Sequence, residues 1–282
     1  MHMQYVTMDM VKKALPRRDS WSHKGDHGRL LVIGGSRTYS GAPALAALAA
    51  LRTGCDLATV ASPERAADII ATFSPDLITE PFRGSFFNTS HTRGVLELSE
   101  RAHAVLIGPG LGTRRETRSF VTTLLSRLEK PCVIDADAIK ALTASKDILG
   151  PDHVLTPHSK EFSLLSGNHP SKTLSERASQ TRALAKELGC TILLKGHVDV
   201  ISDGRETLLN KTGSPSMTKG GTGDTLAGIC SALLATGNSP LNSACAAAYM
   251  NGLAGEFASK DFGPGLLASD LIDLIPKVLG KL

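Results

Sequence analysis

The densest group of chemically special residues is Met217-Thr-Lys-Gly-Gly-Thr-Gly-Asp-Thr-Leu-Ala-Gly228. Three glycines stand close before an acid, and a helical pattern starts at once. Glycine lets the backbone approach a phosphate closely. The free N–H groups of a helix start then face the anion, aided by the helix dipole. Asp224 is placed at that helix N-terminus. An acid there can be a simple N-cap. Beside a glycine-rich anion hole it can also be a general base, taking a hydroxyl proton while the N–H groups stabilise a transferring phosphoryl group. The dipole is expected to keep it ionised at neutral pH. The run is not a Walker A loop, because GxxxxGK[ST] is absent. Further polar or glycine-rich segments each close an apolar run: Gly34-Gly35, Gly108-Pro-Gly110-Leu-Gly112, Asp135 with Asp137, Thr156-Pro-His158, and Lys195-Gly196-His197. His158 by itself can be a satisfied turn histidine, and Lys195 a phosphate partner or a solvated charge. Asp135 and Asp137 point to opposite faces of an ideal strand, so they pair only if the strand has ended.

The elements that carry these segments alternate. Strands are predicted at Arg29–Gly35, Leu57–Ala61, Ala104–Gly110, Cys132–Asp137, His153–His158 and Thr191–Gly196. A hairpin of Val198–Ser202 and Glu206–Asn210 turns at Asp203-Gly204. Helices are predicted at Ala42–Thr53, Glu64–Phe73, Glu116–Leu128, Ser175–Leu188, Asp224–Ala235 and Ser239–Ala258. Continuous apolar strands between helices argue for an α/β fold, a mostly parallel sheet with helices on both faces. Ligands of such sheets bind at the carboxyl ends of the strands, where the special segments fall. One domain over residues 1–282 is expected, with residues 1–25 as an N-terminal appendage.

Composition removes several classes. Hydrophobic residues at 41% and charged residues at 21% exclude a disordered chain, a collagen and a coiled coil. A net charge of +4 argues for no nucleic acid partner, and 4% aromatics leave little for base stacking. The five cysteines show no CxxC pair and are expected as small buried hydrophobes. No apolar run is long enough for a bilayer, and the first residues lack the apolar core of a signal peptide, so no membrane contact and a cytoplasmic location are expected.

The string Asn210 to Gly228 is similar to the NAD(P)H-hydrate dehydratases, a branch of the ribokinase-like kinases. So are Ser22-His-Lys-Gly25, Val32-Ile-Gly-Gly-Ser36, Tyr39-Ser-Gly-Ala-Pro43, Gly108 to Gly112, Val133-Ile-Asp-Ala-Asp-Ala138, and Leu155 to His158 with Glu161. The resemblance runs in order along nearly the whole chain. It departs at Ser216, where a glycine is usual, and at Ser159-Lys160. It implies a ribokinase-like fold and a repair reaction. The S-epimer of NADH or NADPH hydrated at C6 is phosphorylated on its hydroxyl by a nucleotide, and phosphate then leaves to restore the ring. Under the resemblance Asp224 is the base, and Gly220, Gly221 and Gly223 form the anion hole. Ala42, Gly110 and His158, with Asp224, meet the hydrated cofactor. Lys195, Gly196, His197, Val198, Asp199 and Gly223 meet the nucleotide. Mg2+ bridges the nucleotide phosphates, with no protein ligand set visible for it. The resemblance further implies ADP rather than ATP as donor, a homotetramer, and a separately encoded NAD(P)H-hydrate epimerase as functional partner. A ribokinase-like kinase of a hydroxylated vitamin precursor shares the same base and anion hole and would leave a phosphorylated product. A silent nucleotide sensor could keep the glycines without needing Asp224.

Overall fold

A computed structural model of the chain describes residues 4–15 and 18–282. Strand β1 (Gln4–Tyr5) and helix α1 (Met8–Ala14) precede the first long strand, β2 (Arg29–Ile33). Then follow α2 (Gly41–Thr53), β3 (Leu57–Pro63), α3 (Glu64–Ala71), β4 (Ile78–Phe82), α4 (Thr92–Ser99), β5 (Ala104–Ile107) and α5 (Arg115–Leu125). The middle of the chain holds β6 (Cys132–Ile134), α6 (Ala136–Ala141), β7 (His153–Leu155), α7 (Ser159–Ser166), α8 (Leu174–Leu188) and β8 (Thr191–Leu194). The hairpin β9 (Asp199–Ser202) and β10 (Thr207–Asn210) is followed by α9 (Thr222–Ala235), α10 (Pro240–Phe262) and α11 (Ala268–Leu279).

All ten strands join one sheet in the order β1-β10-β9-β8-β7-β6-β5-β2-β3-β4. From β8 across to β4 every pairing is parallel, and only β8–β9 and β9–β10 are antiparallel. Successive strand residues feed opposite faces, as the two-residue period requires. Leu30 and Val32 enter one core with α2, α9, α10 and α11. Leu31 and Ile33 enter the other with α5, α6, α7 and α8. All five cysteines are free and buried in these cores. Among the described residues, no helix is long and apolar enough to cross a membrane.

The stretch expected to be an appendage takes part in the sheet. Gln4 and Tyr5 pair in parallel with Leu208 and Leu209, and Val11 and Ala14 are buried in the core that contains α10. Residues 1–3 and 16–17 of that stretch lie outside the described residues. Other differences are local. β6 stops at Ile134, so Asp135 and Asp137 are not strand neighbours; Asp135 precedes α6 and Asp137 lies in its first turn. Helix α9 begins two residues earlier than expected, at Thr222.

Two helices are drawn together at the end of the sheet that carries the special segments. Helix α2 is almost all alanine and leucine, with Pro43 in its first turn and left-handed Gly54 (φ 108°) at its end. Helix α9 is buried on all sides from Thr225 to Ala235. Gly228 lets the two backbones meet: a Cβ added there would fall 2.1 Å from the carbonyl oxygen of Ala46.

Candidate active site

The N-terminus of α9 is capped by Gly221 in the left-handed region, φ 96°. A Cβ at Gly221 would strike Ala268 Cβ at 2.7 Å and Leu45 Cδ1 at 2.8 Å, so the turn needs glycine twice over. The cap position is thus taken by Gly221, and Asp224 is the third residue of the helix. The simple N-cap reading is thereby excluded. The first N–H groups of a helix have no acceptor within it, and a Cβ added to Gly220 would meet nothing within 4 Å.

Lys195 follows β8 and reaches this turn. A Cβ on Gly223 would lie 3.4 Å from its Nζ. The same ammonium donates to Asp135 Oδ1 at 3.0 Å, and Thr156 Oγ1 donates to that oxygen at 2.6 Å. Burial works against the charge on Lys195, but the carboxylates of Asp135, Glu161 and Asp224 outweigh it and hold its pKa above the ordinary value. Asp224 is half-buried. Burial and the neighbouring Asp135 and Asp137 carboxylates push its pKa up to about 7, against the opposing pull of Lys195. This corrects the expectation of a fully ionised base: the helix dipole does not prevail over desolvation and two like charges.

His158 caps α7. Its Nδ1 accepts from the N–H groups of Lys160 and Glu161, and Glu161 Oε2 accepts from the His158 N–H at 3.0 Å. With Nδ1 an acceptor, the proton of the neutral ring sits on Nε2, 3.2 Å from Glu161 Oε1. Burial, then the charges of Lys195 and Lys140, depress its pKa. The turn-histidine role is therefore real, and the ring still borders the cleft.

That cleft has a volume of about 870 Å³. His158, Lys195, Gly196, His197, Asp199, Gly220 and Gly223 line it, whereas Ala42, Gly110, Val198, Gly221 and Asp224 are not among its walls. Ala42 and Gly110 meet each other instead: a Cβ on Gly110 would sit 3.5 Å from Ala42 Cβ and 2.9 Å from Tyr39 Cβ. Leu45, one turn beyond Ala42, touches the Gly221 turn. Asp224 feels the charge of Lys195, which lines the cleft, and that of Asp137, which reaches the loop of the Ala42–Gly110 corner. At that corner Asp137 Oδ2 accepts from the Gly112 N–H at 2.8 Å.

Three supporting side chains were not foreseen, those of Arg177, Asn210 and Asn251. Arg177 of α8 donates to the Lys195 carbonyl at 2.7 Å, and a Cβ on Gly196 would fall 2.3 Å from its Nη2. Asp199 accepts from the Gly196 N–H at 2.9 Å and from Asn210 Nδ2 at 3.0 Å; burial raises its pKa to about 6. Asn251 of α10 accepts from Thr225 Oγ1 at 2.7 Å and so ties down the α9 start. A buried asparagine within the apolar run of α10 was the one available signal; Arg177 carried none. Among the described residues, no group of three or more His, Cys, Asp or Glu side chains is arranged to hold a metal ion.

The NAD(P)H-hydrate dehydratase family matches residues 30–277. The chain is 41% identical over 281 residues to the ADP-dependent (S)-NAD(P)H-hydrate dehydratase of Cenarchaeum symbiosum, covering 99% of this chain and 98% of that protein. It is 49% identical over 262 residues to the bifunctional NAD(P)H-hydrate repair enzyme Nnr of Pyrobaculum aerophilum, covering 92% of this chain and 52% of that protein. The chain therefore spans about half the length of such bifunctional relatives. The Bacillus subtilis ADP/ATP-dependent NAD(P)H-hydrate dehydratase, co-crystallised with ATP and Mg2+, superposes with a TM-score of 0.83 at 29% identity, covering 100% of this chain and 99% of that one. A ribokinase-like superfamily protein of Enterococcus faecalis gives 0.86 at 28% identity, covering 99% and 96%.

Proposed function

The chain belongs to the NAD(P)H-hydrate dehydratase family, and on that premise we propose that it restores the S-epimer of hydrated NADH and NADPH by nucleotide-dependent dehydration. The observation that carries the reading is Asp224. Its carboxylate stands in the first turn of α9, directly after the Gly220–Gly223 turn, and feels the charges of Lys195 in the cleft and of Asp137 beside Gly112.

The hydrated cofactor bears a hydroxyl at C6, and hydroxide is a poor leaving group. Asp224 takes the hydroxyl proton as the oxygen attacks the terminal phosphorus of the nucleotide, whose own bridging P–O bond breaks. A base with a pKa near 7 suits a reaction at neutral pH. The N–H groups of the Gly220, Gly221 and Gly223 turn, with the Lys195 ammonium, meet the charge on the phosphoryl oxygens. The C6–O bond then breaks, pushed by the ring-nitrogen lone pair, and loss of the C5 proton closes the C5–C6 double bond. ADP consumed in this way leaves AMP and phosphate. The proposal assigns Ala42, Gly110 and His158 to the hydrated cofactor, and Lys195, Gly196, His197, Val198, Asp199 and Gly223 to the nucleotide. It favours ADP over ATP, in keeping with the name of the Cenarchaeum relative.

Magnesium would be held here by nucleotide phosphates and water; among the described residues no group of three or more His, Cys, Asp or Glu side chains is arranged to cage it. When bound it would neutralise phosphate charge. A homotetramer in the cytoplasm and a separate epimerase complete the proposal; light scattering after size-exclusion chromatography tests the tetramer. The activity is tested by incubating the protein with hydrated NADH, Mg2+ and either ADP or ATP. Reduced-nicotinamide absorbance should return in step with released phosphate. Full-rate return without nucleotide, or a stable phosphorylated product, would contradict the reading; the second result is what a small-molecule kinase would give.

A further inference from the structure

Beneath the Lys195 ammonium lies a carboxylate with no role in the reaction above. We propose that Asp135 is a positioning residue: it holds the Lys195 ammonium against the Gly220–Gly223 turn, where the terminal phosphate of the nucleotide arrives. The inference rests on the nucleotide-dependent reading and deepens it.

Three observations converge on Asp135. First, its Oδ1 receives both Lys195 Nζ at 3.0 Å and Thr156 Oγ1 at 2.6 Å, and Nζ in turn lies 3.4 Å from a Cβ placed on Gly223. A lysine side chain has four rotatable bonds, and this contact selects the arm that reaches the turn. Second, Asp135 is 2% exposed and Thr156 is 0% exposed, so the acceptor is fixed from below as well as paired from above. Third, the backbone is bent to place it. Ala136 is the one non-glycine of the described residues with a left-handed φ, 49°. Opposite, Gly108 at φ 134° leaves so little room that an added Cβ would fall 1.8 Å from the Asp135 carbonyl oxygen. Strained residues persist where the surrounding structure over-determines them, and they gather at ligand sites.

The charges around this pair are few. Asp135, Glu161 and Asp224 face Lys195; Asp135, Asp137 and Lys195 face Asp224; His158 and Lys140 stand beside Glu161. Asp135 thus serves two neighbours at once: it anchors the cation and adds negative potential at Asp224.

The test is ADP and AMP binding by calorimetry with Mg2+ and without hydrated cofactor, on the full chain. The variants are Asp135→Asn, Thr156→Val, Lys195→Met and Asp135→Asn with Lys195→Met. AMP lacks the terminal phosphate. Asp135→Asn should weaken ADP about tenfold or more, the scale of a hydrogen bond to a charged group, and leave AMP within about twofold. Thr156→Val should weaken ADP less, in the same direction. Added to Lys195→Met, Asp135→Asn should cost nothing further, because the group it positions is gone. Equal weakening of ADP and AMP, or a full additional loss in the double variant, would overturn the proposal and leave Asp135 as a fold-stabilising ion pair. If Asp135→Asn does not fold, Thr156→Val decides: unchanged ADP affinity in that variant overturns the proposal. A wild type that binds ADP yet restores no NADH refutes the dehydratase reading alone.

Discussion

Asp224 ties function to pH more closely than the sequence led one to expect. With its pKa near 7 in the free protein, kcat/KM for dehydration should rise about tenfold per pH unit below 7 and flatten above it. A pH–rate profile checks this; a flat profile from pH 5 to 8 would contradict it. Asp224→Asn should lower turnover by about 10²–10⁴-fold. Its effect on stability has the opposite sign. A carboxyl whose pKa is raised by folding destabilises the fold increasingly as pH climbs from about 4, its unfolded value, through about 7. Asn cannot ionise, so the variant's thermal midpoint should gain on the wild type as pH rises from 4 to 7, and hold that gain at pH 8. Lys195→Ala should raise the nucleotide dissociation constant well above its effect on the hydrated cofactor, because the proposal assigns this cleft-lining lysine to the nucleotide. Separate titrations of the two ligands measure that. The acid and the glycines were legible because their spacing is local. The Asp135–Lys195 pair was not, because the partners are 60 residues apart in sequence and meet only through the parallel order β6-β7-β8.

At the scale of elements, strands β2, β3 and β5 to β10 and helices α2, α3, α5, α8, α9 and α10 were readable from apolar runs ended by glycine or acids. Helices α1, α4, α6 and α7 were missed because at 6 to 8 residues they display little of a period, and α11, with 12 residues, was missed as well. Strand β4 was missed because its residues, Ile-Thr-Glu-Pro-Phe, are exposed or half-buried at the sheet edge. What no periodicity could reveal is the seam between α2 and α9. Composition marks both helices as small-residue helices, but only the structure shows that Gly228 lies against the Ala46 carbonyl. Gly228→Ala is a favourable change for an isolated helix. Here it should destabilise the protein by about 1–3 kcal/mol, the cost of overpacking. It should also weaken both ligands, since the first turns of both helices bear on the site. Urea unfolding together with ligand titration checks this; a stabilised variant would mean that the seam gives way easily.

For the molecule as a whole, the stretch before β2 is part of the sheet and of one core. Val11 is fully buried and Val6 and Ala14 nearly so. Removing residues up to Leu15 should uncover α10 and lower the thermal midpoint. A loss of about 1 kcal/mol corresponds to about 2–4 °C in a chain of 150–250 residues, and the shift per kcal/mol falls with length, so each 1 kcal/mol lost here should lower the midpoint by about 2 °C or slightly less. Tyr5, whose ring lies 5.4 Å from Lys211 Nζ, goes with that stretch, while the Gly220–Gly223 turn is left in place. An unchanged melting curve would show that these residues add nothing to the core.

Strand β1 also sets a timetable. It leaves the ribosome about 200 residues ahead of its partner Leu208–Leu209. At synthesis rates of about 5–20 residues per second, that is a wait of roughly 10–40 s. Through that interval the apolar side of α1 has no α10 to cover it. The nascent chain therefore carries an uncovered apolar helix that chaperones or proteases can find, and this edge of the sheet closes only once β10 has been made.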